Sequence, residues 1–289
     1  MTTSNPAVAE QAHRQLIAGL KVKPLIAWPT VLLLAACHTT ILSVWYLVLT
    51  HQMSLGLGCF LNILAYYFLF TPAHDSMHKA VSRIDWVNDL VLFLVYFLVV
   101  PGLDGKLARL MHMQHHRFCN DSLDPDHDLA KNWKNSFFLW FFWDFRYSWF
   151  YAQHADKYPP YETWRGRKDM ALFIVFTALM LVFLPKEFFF LWVIPTRMMV
   201  WLICAVFMFL PHYPHDIKDK EAPYKATLMR EGWDWLLTPL MTYQNYHLVH
   251  HLYPTVPFYR YKKVWDAAKD FHEAQKPAVV KAFKLMPER

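Results

Sequence analysis

Asn245-Tyr246-His247-Leu248-Val249-His250-His251-Leu252-Tyr253-Pro254 decides how this chain is read. Its three histidines fall at i, i+3 and i+4, offsets that put three imidazoles on one helical face within about one turn. The same spacing recurs at His112, His115 and His116, and His74 and His78 form an i, i+4 pair. His212 and His215 follow a long apolar run. Ten of the 16 histidines thus lie in four short clusters, and the rest of the chain is the frame that gathers them.

Composition says what kind of frame it is. The 289 residues are 55% hydrophobic and 18% aromatic, with a mean hydropathy of +0.12. Soluble domains run nearer to about 45–50% apolar and lack long uncharged runs. Seven glycines, no low-complexity tract and no repeat beyond the histidine pattern argue for one domain over 1–289. Cys37, Cys59, Cys119 and Cys204 form no C-x-x-C and read as small buried residues in a reducing setting. Cys119, three residues past a histidine box, is a spare metal ligand that the boxes do not need.

The apolar runs predict four transmembrane helices, at about 25–49, 53–72, 170–184 and 188–210, paired in two hairpins. Residues 25–49 carry no charged side chain and follow no cleavable signal. His38, inside this run, reads as a satisfied polar residue or a lining of the substrate path. Residues 86–103, crowded by Asp85, Asn88 and Asp89 and ended by Pro101-Gly102, are short for a span and read as an interfacial helix. A crossing there would put the first two histidine boxes on opposite sides. The stretch from 133 to 164 is dense in aromatic residues, mixed in and at its edges with the basic residues Lys131, Lys134, Arg146, Lys157, Arg165 and Arg167. That mixture suits in-plane helices at the headgroup layer and not a nucleic-acid surface. Arg197, in the last run, reads as snorkelling or packing in preference to binding a polar substrate group.

The net charge of +6 gains meaning from placement. The two outer links hold Lys186 alone, so the positive-inside rule assigns the opposite side, with every histidine cluster, to the cytoplasm. The expected protein is an all-α, multi-pass integral protein of a bacterial inner membrane, with interfacial helices and a cytoplasmic histidine-rich cap.

Neutral imidazole ligates iron, copper, nickel and zinc. The boxes hold more histidines than one ion needs, and two ions with four or five ligands each fit the count. A zinc protease is disfavoured because Asp75 stands where an H-E-x-x-H base would be. A transporter would place its ligands at mid-membrane, whereas these lie at the ends of the runs. Asp75, Asp121, Asp124, Asp126 and Asn245 are candidate partners for histidine N–H groups, orienting the rings, or else cap and turn residues.

The order H-x-x-x-H, H-x-x-H-H, H-x-x-H-H over roughly 25–265 resembles the membrane fatty acid desaturase and hydroxylase superfamily. Gln244 to Tyr261, His112 to Asp121 followed by Asp124-Pro125-Asp126, and Leu210 to His215 are similar to β-carotene hydroxylases of the cyanobacterial type; the last stretch also resembles the carotenoid ketolases. The resemblance implies two iron ions, O₂ as co-substrate and oxidation of unactivated C–H bonds. It implies His74, His78, His112, His115, His116, His247, His250 and His251 as ligands, with one more from His212 or His215, His212 being favoured. It further implies hydroxylation of an ionone ring at carbon 3, with an acyl-lipid desaturase or hydroxylase as the alternative. A non-enzymatic membrane metal-binding or transport protein is the third reading. No G-x-G-x-x-G, iron–sulfur cysteine set or H-P-G-G is present, so electrons must come from a ferredoxin-like or similar acidic carrier.

Overall fold

The structure, a computed structural model, describes residues 6–100, 105–127, 129, 133–154 and 163–287. Pro101-Gly102, Asp128, Lys131 and Lys157 lie outside the described residues, as do the side chains of Arg165 and Arg167. The chain is 72% helical, opening with α1 (Pro6–Lys21), α2 (Trp28–Leu49), α3 (Leu55–Met77), α4 (Asp85–Val99) and α5 (Lys106–Phe118). There follow α6 (Trp143–Gln153), α7 (Thr163–Phe183) and α8 (Pro185–His212), the last carrying π-helical turns at Phe189–Val193 and Cys204–Phe209. The C-terminal cap holds α9 (Asp234–Leu240), α10 (His247–Leu252), α11 (Tyr261–Ala267) and α12 (Lys269–Ala274).

Helix α2 shows how the frame packs. Thr30, Leu34, Cys37, Ile41, Val44 and Val48 recur every three to four residues and form its buried stripe, while Leu32, Leu42 and Tyr46 are apolar yet exposed. A helix that is apolar all round suits lipid on the faces protein leaves open. Helix α3 crosses it closely at Gly58, where an added Cβ would come within 2.9 Å of Val48 and 3.0 Å of Leu191. Two polar side chains inside the frame find backbone partners, as a low-dielectric setting favours. Asn62 donates to the Leu191 carbonyl at 2.8 Å, in a π-turn of α8. His38 meets the Leu34 and Leu94 carbonyls at 2.9 and 3.3 Å, tying α2 to α4 as a satisfied polar residue.

Among the described residues three helices, α2, α3 and α8, are long and apolar enough to cross a membrane, where the sequence predicts four. Residues 170–184 fall short because the polar start of α7 leaves only Ala171–Phe183 apolar. That is about 20 Å of helix against a hydrocarbon core of about 30 Å. The helix that carries the second run extends past residue 72: α3 continues through Pro72 to Met77, so the first histidine box begins in its last turn. Helix α4, 15 residues long, packs Val91, Leu92, Val95 and Val99 inward.

Arg197 does not reach the far surface. Its guanidinium grips the Asp144 carboxylate at 3.0 and 2.8 Å and donates to the Phe141 carbonyl at 3.1 Å, a bidentate geometry that docks α6 onto α8. The chain is also not wholly α-helical. β1 (Leu228–Glu231) pairs in parallel with β2 (Ala278–Lys281), Leu228 opposite Ala278. Buried Arg230 donates from this sheet to the Ala282, Lys284 and Leu210 carbonyls, anchoring the cap to the end of α8.

Candidate metal centre

Four elements deliver the histidines. His74 occupies the last turn of α3 and His78 caps it. His112, His115 and His116 line α5, His212 ends α8, and His247, His250 and His251 lie on α10. All are buried except His116 and His251, which are partly so. Ligand atoms converge within 4.8 Å in two groups of four: His74, His78, His112 and His250, and His115, Cys119, His212 and His251. His116 joins His250 and His251 in a group between them.

Ring orientation shows what the groups are built for. Nε2 atoms meet across elements at 2.7 Å for His78 and His112, 2.9 Å for His212 and His247, and 2.8 Å for His250 and His116. Nδ1 atoms face outward to partners: His115 to Asp124 at 2.9 Å, His247 to the Gln244 side-chain oxygen at 2.5 Å, and His250 to the Tyr261 hydroxyl at 3.0 Å. An oxygen acceptor on Nδ1 places the proton there and leaves Nε2 as a lone pair. Ring nitrogens facing one another this closely in a buried space share either a proton or a metal ion. Among the described residues, both ring nitrogens of buried His74 and Nε2 of His251 have no hydrogen-bond partner. The donor set therefore fits transition-metal ions held by neutral imidazoles.

Electrostatics agree. Burial, reinforced by neighbouring imidazoles, holds His78, His112, His116, His247, His250 and His251 well below the usual histidine range. They are neutral at pH 7, the form that ligates. At His115 burial opposes charge, but Asp124, and more weakly Asp126, raises it to about 9. That preference for positive charge is one a metal at Nε2 satisfies while Nδ1 keeps its proton. Asp124 is lowered: burial opposes this, and the facing His115 prevails. Burial raises Asp126 to about 6. Trp143 Nε1 and the Tyr147 hydroxyl donate to Asp126 at 2.9 and 3.2 Å, and its carboxylate stands 3.6 Å from His115 Nδ1.

Other expected contributors lie elsewhere. His215 belongs to none of the ligand groups among the described residues; a left-handed backbone (φ 64°) turns its Nδ1 to the His127 carbonyl at 3.2 Å. Among the described residues, Asp75 makes no hydrogen bond or ion pair with a histidine ring. Its carboxylate accepts from Thr30 at 2.7 Å and from Phe258 N at 3.1 Å, pinning the cap to α2 and α3. Asp121 is drawn to Lys218 at 2.9 Å and Ser122 at 3.0 Å, and Asn245 donates to Thr238 at 3.0 Å. Gln244 and Tyr261 were not among the expected partners. Gln244, three residues before His247, is visible in a helical pattern, whereas Tyr261 reaches His250 only through the fold. Cys119 sits 3.6 Å from His212 Nδ1, as a partner to the ring as much as a ligand.

A cavity about the size of one water molecule lies among the histidines, lined by Phe70, Phe207 and Met208 together with His74, His112, His115, Asp126 and His247.

Comparison with known proteins finds similarity that extends beyond the histidine boxes. An sn-1 oleoyl-lipid 12-desaturase of Picosynechococcus sp. is 31% identical over 115 residues, 38% of this chain and 30% of the relative's own length. A beta-carotene ketolase of Paracoccus sp. is 27% identical over 201 residues, 66% of this chain and 71% of that protein. A Delta(12) acyl-lipid conjugase of Impatiens balsamina is 23% identical over 256 residues, 68% of this chain and 61% of that protein. No solved structure gave a significant match. The profile of the fatty acid desaturase family matches residues 43–282, and with the histidine boxes converging as they do, the chain belongs to that family.

Proposed function

We propose that this chain is a membrane diiron oxygenase that hydroxylates a lipophilic substrate, the β-ionone ring of β-carotene at carbon 3. The observation that carries the metal-dependent part is the convergence of inward Nε2 atoms from four elements, with Nδ1 protons held by outer acceptors. His74, His78, His112 and His250 would hold one iron, and His115, His212 and His251 the other, with His116 between them and His247 beside His212. Such a pair supplies O₂ activation when bound. The protein's part is to fix ring tautomers through Asp124, Gln244 and Tyr261 and to exclude water.

The carotenoid assignment is supported by the box flanks and by the ketolase relatives, which align over two thirds of the chain. The acyl-lipid reading is supported by the desaturase and conjugase relatives, so one experiment must score both. Expression in bacteria that accumulate β-carotene, with pigments and fatty acids analysed together, is expected to yield hydroxylated carotenoid. Unchanged pigment with altered acyl chains would replace the substrate. A purified protein that binds no iron and consumes no reductant would leave a metal-binding or transport role instead.

The same reading places α2, α3, α7 and α8 as two membrane hairpins in a bacterial inner membrane, with the bilayer locally thinned around the short run of α7. The histidine cap then faces the cytoplasm, where a ferredoxin-like acidic carrier would deliver electrons to its basic surface.

A further inference from the structure

The cap carries an apolar surface that the metal centre does not use. Trp235 is 74% exposed and Phe283 69%, and Trp233, Leu240, Leu285 and Met286 are exposed beside them in sequence. Two segments about fifty residues apart make one patch: the Trp233 ring lies 6.0 Å from Trp235 and 5.6 Å from Phe283. Clustered exposed aromatics on an otherwise charged cap are costly in water and mark a contact surface.

The patch sits where lipid would be. The Leu240 carbonyl, at the end of α9, accepts a 2.7 Å hydrogen bond from Tyr67 of α3. Tyr67 lies seven residues before His74, so this contact is about 10 Å further into the membrane-length helix than the first ligand. Thr242 bonds Thr71 at 2.9 Å, one turn closer to the ligands. On the other side, Leu237, Met241 and Ala282 pack against Val206 and Leu210 of α8. Helix α9 is therefore wedged along two helices of membrane length, and its outward face continues their apolar surface. Lys281 and Lys284 are exposed on the strand and turn flanking Phe283, and lysine beside tryptophan is the pairing of a headgroup boundary.

We infer that Trp233, Trp235, Leu240 and Phe283 form a membrane-dipping surface of the cap, immersed at the boundary between headgroups and acyl chains of the leaflet beside the metal centre. The inference rests on the chain being membrane-embedded and not on which lipophile it oxidises.

The four native cysteines are all buried, so single cysteines added at exposed sites can carry a spin label selectively. Trp235→Cys and Phe283→Cys would be labelled in protein reconstituted in phospholipid nanodiscs and retaining its metal content. Leu42→Cys, on the exposed face of α2, serves as the lipid reference, and Ala274→Cys, on exposed α12, as the aqueous one. Collision with O₂, which concentrates in acyl chains, is compared with collision with a water-soluble nickel chelate. The expected result at 235 and 283 is several-fold greater O₂ than chelate collision, as at 42. Chelate-dominated collision at both would overturn the inference, and so would low collision with both reagents, which would mean a second protein copy covers the patch. An aqueous signal at 42 as well would overturn membrane embedding and the inference with it. The two positions lie on separate segments, so loss of folding in one variant still leaves the other as a test.

Discussion

The two halves of the histidine cluster differ in what surrounds them. His115 leans on Asp124 and Asp126, and those carboxylates are held by Trp143, Tyr147 and backbone amides of 120 and 126. The opposite group, His74, His78, His112 and His250, has no carboxylate on a ring in the described residues. Its resolved outer partner is the neutral Tyr261 hydroxyl, and Asp75, adjacent in sequence to His74, turns away to Thr30 and Phe258. One half is therefore backed by negative charge and the other by neutral groups. Since a carboxylate behind a histidine raises its basicity, the half near His115 should bind its ion more tightly. Residue spacing treats the boxes as equivalent; their surroundings do not.

The strongest way to break this comparison is to remove a ligand from each half. His250→Ala and His115→Ala are each expected to reduce activity to background while the protein still inserts in membranes, with metal analysis showing loss of bound ion. Full activity in either would remove that residue from the centre. Next, Asp124→Asn should weaken one ion by about 10–100-fold and leave the other unchanged. A metal titration would then split into two phases, and equal weakening of both ions would dissolve the asymmetry. Tyr261→Phe tests the neutral half. Losing one uncharged hydrogen bond of about 1 kcal/mol should cost roughly fivefold in affinity, well below the Asp124 effect.

The last test lies outside both halves and reads acid sensitivity instead of metal affinity. His272 is buried between Trp265, 5.0 Å away ring to ring, and the Tyr224 hydroxyl at 3.1 Å; burial, then His13, lowers it to about 4 from an ordinary 6.5. The unfolded chain therefore takes up this proton first as pH falls. The resulting stability is present above about pH 6.5 and is lost progressively down to about 4. His272→Phe should flatten the fall of Tm with pH across that window. An unchanged slope would assign acid sensitivity to other groups.

Much of the centre was legible from residues alone because its information is local. Helical offsets fix which histidines share a face, and apolar runs place those faces at the ends of α3 and α8. Length arguments say least where a helix mixes characters: α7 begins polar and leaves only Ala171–Phe183 apolar among the described residues, and α3 carries its helix on through Pro72 to Met77. Long-range pairings were also out of reach. The Arg197 clasp on Asp144 joins residues 53 apart, and β1 pairs with a strand about fifty residues later. No periodicity encodes either.

What the sequence by itself determined is the ligand type, the spacing within each box and the apolar frame, since each follows from side-chain chemistry and the 3.6-residue turn. Only the tertiary structure decided which histidines face one another, that His212 enters the cluster while His215 turns to the His127 carbonyl, and that Asp124, Gln244 and Tyr261 hold the outer nitrogens. Those choices depend on the relative placement of α3, α5, α8 and α10, which packing sets across separations that local residue preferences do not reach.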